Sequence, residues 1–200
     1  MNVMKTHQEL RALRGALEWG STNDLSMWHV HFMRLARYNV WATRRLLTAL
    51  EPVAEADYRR DVGLFFKSLH GTLNHLRVGE QLVWLPRFRG EAVVFAQMQP
   101  PLRLDSEVET DRQRLALALQ DGTQAWEPLI ASWPAEQFDG QLAYTTTAGV
   151  PQVLPFAATL SHVFNHSTHH RGQITAALTA LGHACPELDL VYFLRENSAA

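Results

Sequence analysis

A single cysteine, Cys185, leaves the chain without any possible internal disulfide, and such a chain is expected in a reducing cytoplasm. Apolar runs are short: none approaches the roughly 18 residues that a membrane-spanning helix needs. Charge of one sign is also lacking. With 18 Lys and Arg against 20 Asp and Glu, the net charge is -2, so there is no basic excess to suit a nucleic-acid partner. The N-terminus has no apolar segment of the secretory type. No G-x-S-x-G motif occurs, which removes one common nucleophile arrangement. Repeats and low-complexity tracts are missing too. What remains is ordinary globular material: 46% of the residues are hydrophobic and 19% charged, enough for one domain with a substantial core.

Histidine is the exception. Four of the ten lie in one short stretch, His162-Val163-Phe164-Asn165-His166-Ser167-Thr168-His169-His170, followed by Arg171-Gly172-Gln173. Imidazole is the commonest protein ligand for transition metals, and two rings four residues apart on a helix can hold one ion. At about 100° per residue, His162, His166, His169, His170 and Gln173 share an arc of about 100°. The arc borders the apolar stripe formed by Phe156, Leu160, Val163, Ile174, Leu178 and Leu181. His170 lies nearest that stripe and His166 next, whereas His162 and His169 point to the flank. A lone histidine there would be an ordinary boundary residue. Four neighbouring imidazoles need partners for every ring nitrogen and repel when protonated, and a bound dication resolves both problems.

Periodicity predicts four helices, at about Leu25–Leu50, Leu64–Leu85, Asp105–Ser132 and Pro155–Leu181. Pro52, Pro86 and Pro134 read as stops, Gly182 as a C-terminal cap, and Pro128 as a kink or early end of the third helix. Residues 87–104 form a connection long enough to cross a bundle, so the helices it joins can run parallel. Leu142–Thr147 and Val150–Leu154 around Ala148-Gly149 suggest a small hairpin. The fold class is therefore all-α, a four-helix bundle with one minor hairpin. Further ligands would come from another helix: His70 or His75 on the second, His29 or His31 on the first. Gly71 and Gly79 leave the His75 face of its helix bare, yet His70 lies about as close to the apolar stripe, and the helical wheel does not separate them.

Tyr38-Asn39-Val40-Trp41-Ala42, Leu73-Asn74-His75-Leu76 with Glu80 and Trp84, and Asn165-His166-Ser167-Thr168-His169-His170-Arg171-Gly172-Gln173 resemble the DinB family, in the DinB/YfiT-like group of metalloenzymes. The resemblance covers about residues 28–195 and includes the closing Leu188-Asp189-Leu190-Val191-Tyr192-Phe193-Leu194. It implies an up-down-down-up bundle over residues 25–200, with residues 1–24 as an N-terminal extension. It further implies a divalent ion, zinc or nickel, on His75, His166 and His170. Relatives of the family use low-molecular-weight thiols in transferase and isomerase reactions, so the resemblance implies a thiol-dependent transferase or a related metalloenzyme acting on a small molecule. The rivals are a metal-stabilised stress-response protein without turnover and a metal-dependent hydrolase. Asn165 and Gln173 are expected to support the ligand rings. Arg171 is expected in a surface ion pair or, alternatively, on a carboxylate of the thiol. A homodimer is expected, with some of the apolar residues of helix one and the crossover, which include Val93, Val94, Phe95 and Met98, between the chains.

Overall fold

The computed structural model describes residues 26–197. The expected extension 1–24 lies outside the described residues. Helix α1 is Met27–Leu50, started by Ser26, whose hydroxyl accepts from the His29 backbone N–H. Helix α2 (69–88) is composite. It begins as Leu69–Leu76, widens over Arg77–Trp84 and closes as Leu85–Phe88. Helix α3 (112–132) comprises Arg112–Gln124 and Trp126–Ser132. Helix α4 is Phe156–Ala180, and a short α5, Leu190–Asn197, packs Phe193 against Tyr38 and Ala42 of α1. Strands β1, Gln141–Thr145, and β2, Pro151–Pro155, form the antiparallel hairpin between α3 and α4.

Two apolar clusters give the direction of every helix. At one end, Phe32 of α1 meets Phe88 of α2, Trp126 and Ile130 of α3, and Phe156 and Leu160 of α4. At the other, Leu46 and Leu50 meet Leu69 and Leu73, Leu115 and Leu119, and Ile174 and Leu178. Helices α1 and α4 therefore run from the first cluster to the second, and α2 and α3 run back. The topology is up-down-down-up, as expected, and residues 89–111 form the crossover that returns the chain between the parallel pair. No helix among the described residues is long and apolar enough to cross a membrane.

Several boundaries differ from the sequence expectation. Helix α2 begins at Leu69 rather than Leu64, because Lys67 adopts a left-handed φ of 69° and the Ser68 hydroxyl caps the Gly71 N–H at 3.0 Å. Pro86 does not stop it. The wide turn makes Leu85 N–H bond to the Glu80 carbonyl, and Pro86 then falls in the first turn of a fresh segment, where its missing N–H is tolerated. Helix α3 starts at Arg112 rather than Asp105, capped by Asp111, and breaks at Ala125 because the Pro128 ring opposes the carbonyl of Gln124. Gly182, with φ 80°, ends α4 as expected, and the His183 N–H closes back on the Leu178 carbonyl at 2.9 Å. In the crossover, Val93 and Phe95 are buried against Val78 and Val83 of the same chain. Those two side chains are used within the fold, and Val94 and Met98 are half-buried.

Candidate metal centre

The three rings named on α2 and α4 meet. His75, His166 and His170 each turn a nitrogen into one cluster whose ligand atoms lie within 4.8 Å of one another. His166 Nε2 is the shared vertex, 3.2 Å from His75 Nε2 and 3.1 Å from His170 Nε2. The local sequence explains the approach. A Cβ on Gly79 would stand 3.2 Å from His166 Cε1, so the bare glycine makes room for that ring between the helices. Gly71 does the same for the covering loop: a Cβ there would meet the Phe66 carbonyl oxygen at 2.1 Å. With the loop seated, the Phe66 ring stacks on His75 at 3.7 Å between centroids and 14° between planes.

The outward nitrogens are spoken for. His75 Nδ1 donates to the Leu104 carbonyl and His170 Nδ1 donates to Gln173 Oε1, both at 2.8 Å. With its proton on Nδ1, each neutral ring presents a lone pair at Nε2. Asn74, next to His75, fixes the crossover beside the site: its Oδ1 accepts from Glu109 N–H at 2.9 Å and its Nδ2 donates to the Glu109 carbonyl at 3.1 Å. Burial lowers the pKa of all three ligand-candidate rings. His170 falls to about 4, and His166 falls to about 3 through burial and then its histidine neighbours. The donor set fits a divalent ion. Nitrogens at about 2.0–2.1 Å around a tetrahedral ion stand roughly 3.3 Å apart, close to the two Nε2 separations.

The other histidines are placed elsewhere. His70 is buried on a different face of α2, where Nε2 donates to Glu107 Oε1 at 2.7 Å and the ring packs on Tyr58. His29 is buried between Ser26 and the Trp133 carbonyl, and His31 is exposed beside Trp28 and Phe32. His162 and His169 are exposed flanking rings, 5.5 Å from His166 and 4.9 Å from His170 between centroids. Gln173 supports a ligand-candidate ring as expected; Asn165 is exposed and makes no such bond.

Arg171 corrects the sequence reading. It is buried, not a surface ion pair, and its guanidinium donates to Asn39 Oδ1 and Thr168 Oγ1 above the Tyr38 ring. Asn39 Nδ2 in turn donates to Glu80 Oε1 at 2.8 Å. Trp126 Nε1 reaches the same oxygen at 2.9 Å, and Ser167 Oγ donates to Glu80 Oε2 at 2.7 Å. One carboxylate thus ties all four long helices together between the two apolar clusters. Burial pushes the Glu80 carboxyl pKa up, against the pull of Ser167, Arg171, Trp126 and Asn39. The sequence contained Asn39, Glu80 and Arg171 as motif residues but gave no sign that they meet.

Two outcomes follow from this geometry. Gly79→Ala should crowd the His166 ring and weaken metal binding by about tenfold, as losing a supporting group does at other metal sites, while the thermal unfolding curve of the metal-free protein changes little. An unchanged metal affinity would show that the glycine face is not needed. In metal-free protein, His166 and His170 stay neutral far below the ordinary value of 6.5. Folded-state pKa values below the unfolded ones mean that the unfolded chain takes up more protons. Stability should therefore fall as pH drops from 6.5 towards about 3–4, and the melting temperature at pH 5 should lie below that at pH 7. A flat profile in that window would contradict the burial of these rings.

Comparison with known proteins places the chain. A family model described as "DinB family" matches residues 23–198. The chain is 28% identical over 172 residues to Protein DinB of Bacillus subtilis (strain 168), covering 80% of this chain and 92% of that protein. Among solved structures it is similar to YfiT from Bacillus subtilis, described as a probable metal-dependent hydrolase with an unusual four-helix bundle topology. The TM-score is 0.56 at 15% identity, over 84% of this chain and 95% of that one.

Proposed function

The chain belongs to the DinB family, and on that premise we propose that it is a divalent-metal-dependent enzyme with His75, His166 and His170 as ligands. The observation that carries this reading is the convergence of three Nε2 atoms, two of them on rings whose Nδ1–H is tied to a protein acceptor. Neutral imidazoles suit zinc or nickel, and three protein ligands are the number that leaves room for a reactant. When bound, such an ion supplies Lewis acidity that lowers the pKa of a thiol or water beside it. The chain's residues supply the rest. Leu104 and Gln173 hold two rings in register, and Phe66 shields the His75 face from water. The exposed His162 flanks the cluster, where it can hold a proton released by the nucleophile.

The first reading is transfer to a low-molecular-weight thiol, with a small-molecule co-substrate. The second is hydrolysis, supported by the description of YfiT. Turnover of zinc- or nickel-loaded protein on model electrophiles and esters, with and without added thiol, separates them. Thiol-dependent turnover that His166→Ala abolishes is the expected result. Equal ester turnover without thiol assigns hydrolysis, and no turnover under any condition assigns a metal-stabilised binding protein.

A further inference from the structure

Each α4 histidine of the cluster is followed in the chain by a residue that Glu80 holds. Ser167 comes after His166 and donates its hydroxyl to Glu80 Oε2 at 2.7 Å. Arg171 comes after His170 and donates to Asn39 Oδ1, while Asn39 Nδ2 donates to Glu80 Oε1 at 2.8 Å. Both Ser167 and Arg171 are buried, so water does not compete for either tie. Neighbouring residues on a helix point about 100° apart. Holding positions 167 and 171 on one face of α4 therefore sets where 166 and 170 point on the next. Apolar packing is non-directional and fixes such a rotation loosely; hydrogen bonds are directional and fix it well.

The shape of α2 brings the carboxylate to this place. In a regular helix His75 and Glu80, five residues apart, would point about 140° from one another. The wide turns over Arg77–Trp84 reduce that angle, and both side chains reach α4. Gly79, next to Glu80, leaves room for the His166 ring, so two consecutive residues of α2 receive two consecutive residues of α4. From the far side, Asn39 of α1 and Trp126 of α3 both donate to Glu80 Oε1 and hold the carboxylate still. Wide turns inside α-helices occur often at functional sites, and this one follows directly on the segment that carries His75.

We propose that Glu80 is a positioning residue of the metal centre: through Ser167 and Arg171 it sets the rotation of α4 at which His166 and His170 converge on His75. Among the described residues its oxygens bond to Asn39, Trp126 and Ser167 and to none of the three rings. It acts through the backbone of α4, not as a ligand. Its effect on an ion rests on the metal-dependent reading given above. The packing of the three rings does not, since they converge through contacts of the chain itself.

Two variants separate positioning from stability. Ser167→Ala removes the direct tie to α4 and leaves the carboxylate with Asn39, Trp126 and the nearby Arg171. Glu80→Gln keeps an oxygen for Asn39 and Trp126 and offers Ser167 Oγ an amide N–H, but removes the counter-charge of Arg171. The full chain is stripped of metal by chelator and titrated with cobalt(II), whose visible absorption bands report coordination geometry. Ser167→Ala should weaken cobalt binding at least tenfold and shift the bands, with little change in the melting temperature of the metal-free protein. Glu80→Gln should melt lower yet stay within about threefold of the parent affinity. A purely structural role predicts the opposite order, with affinity following melting temperature. The metal-free proteins give a second readout, the rate at which diethyl pyrocarbonate modifies His166, located by mass spectrometry. That rate should rise severalfold in Ser167→Ala. Where the parent binds cobalt, an unchanged affinity in Ser167→Ala, or losses that follow melting temperature across the two variants, would overturn the proposal. A parent that binds no cobalt sinks the metal reading alone, and an unchanged His166 reactivity in Ser167→Ala would then overturn the positioning role too.

Discussion

His166→Ala is expected to take bound divalent metal from about one ion per chain to nearly none, since two remaining imidazoles make a poor site. His166 Nε2 is the atom that both other rings approach, at 3.2 and 3.1 Å. His75→Ala and His170→Ala should lose the ion for the same reason, each removing one vertex. His162→Ala, His169→Ala and His70→Ala should retain it, because the first two rings flank the cluster and the third is engaged with Glu107. Metal analysis of untagged protein is the measurement. The same substitutions should reach stability, since the ion would link α2 to α4 and would not bind the unfolded chain. At free metal near 1,000 times the dissociation constant, linkage is worth about 4 kcal/mol. For a domain of this size that is roughly 8–16 °C in melting temperature. Chelation should lower the melting point of the parent and leave that of His166→Ala unmoved. Metal retained in His166→Ala, or lost equally from His162→Ala, would sink the assignment.

The choice of His166 and His170 was legible in the sequence because α4 is a regular helix. Its wheel ranks His170 and His166 nearest the apolar stripe, and these are the two rings that enter the cluster. On α2 the same wheel left His70 and His75 level. The tie is broken by surroundings that periodicity does not encode: Tyr58 and Glu107 on one side, Phe66, Leu104 and α4 on the other. The bare glycine face around His75 was visible, but its use was not. Gly71 admits a loop carbonyl and Gly79 admits an imidazole.

Helix-boundary errors have a common origin in local backbone chemistry. Leu64, Phe65 and Phe66 continue the apolar pattern of α2, yet Lys67 turns left-handed and Ser68 caps a later start. Over Arg77–Trp84 the helix has wide turns, so a projection at about 100° per residue misplaces the side chains beyond it. Glu80 lies in that stretch. Glu80 stands out in the sequence only as a motif residue and Arg171 as a surface ion pair, and only the packed bundle shows them sharing Asn39.

Glu80→Ala is expected to be the most destabilising single substitution away from the histidines. It would leave the buried Asn39, Trp126 and Ser167 donors without their acceptor and Arg171 without its counter-charge. Removing one member of a buried charged set costs about 3–5 kcal/mol, or roughly 6–20 °C in melting temperature at about 2–4 °C per kcal/mol. Arg171→Met should fall in the same range, because Glu80 would keep its three donors but lose the nearby cation. The two losses should not add. Once one charge is gone, removing the other relieves an uncompensated burial, so the double variant should be more stable than additivity predicts by about 0.5–3 kcal/mol. Chemical denaturation of the four proteins at pH 7 gives the cycle directly. Glu80→Leu with Arg171→Met goes further, replacing the charged pair with apolar bulk, and should recover part of the loss seen in Glu80→Ala. Additive losses in the cycle would mean that Glu80 and Arg171 act separately and that Asn39 does not couple them.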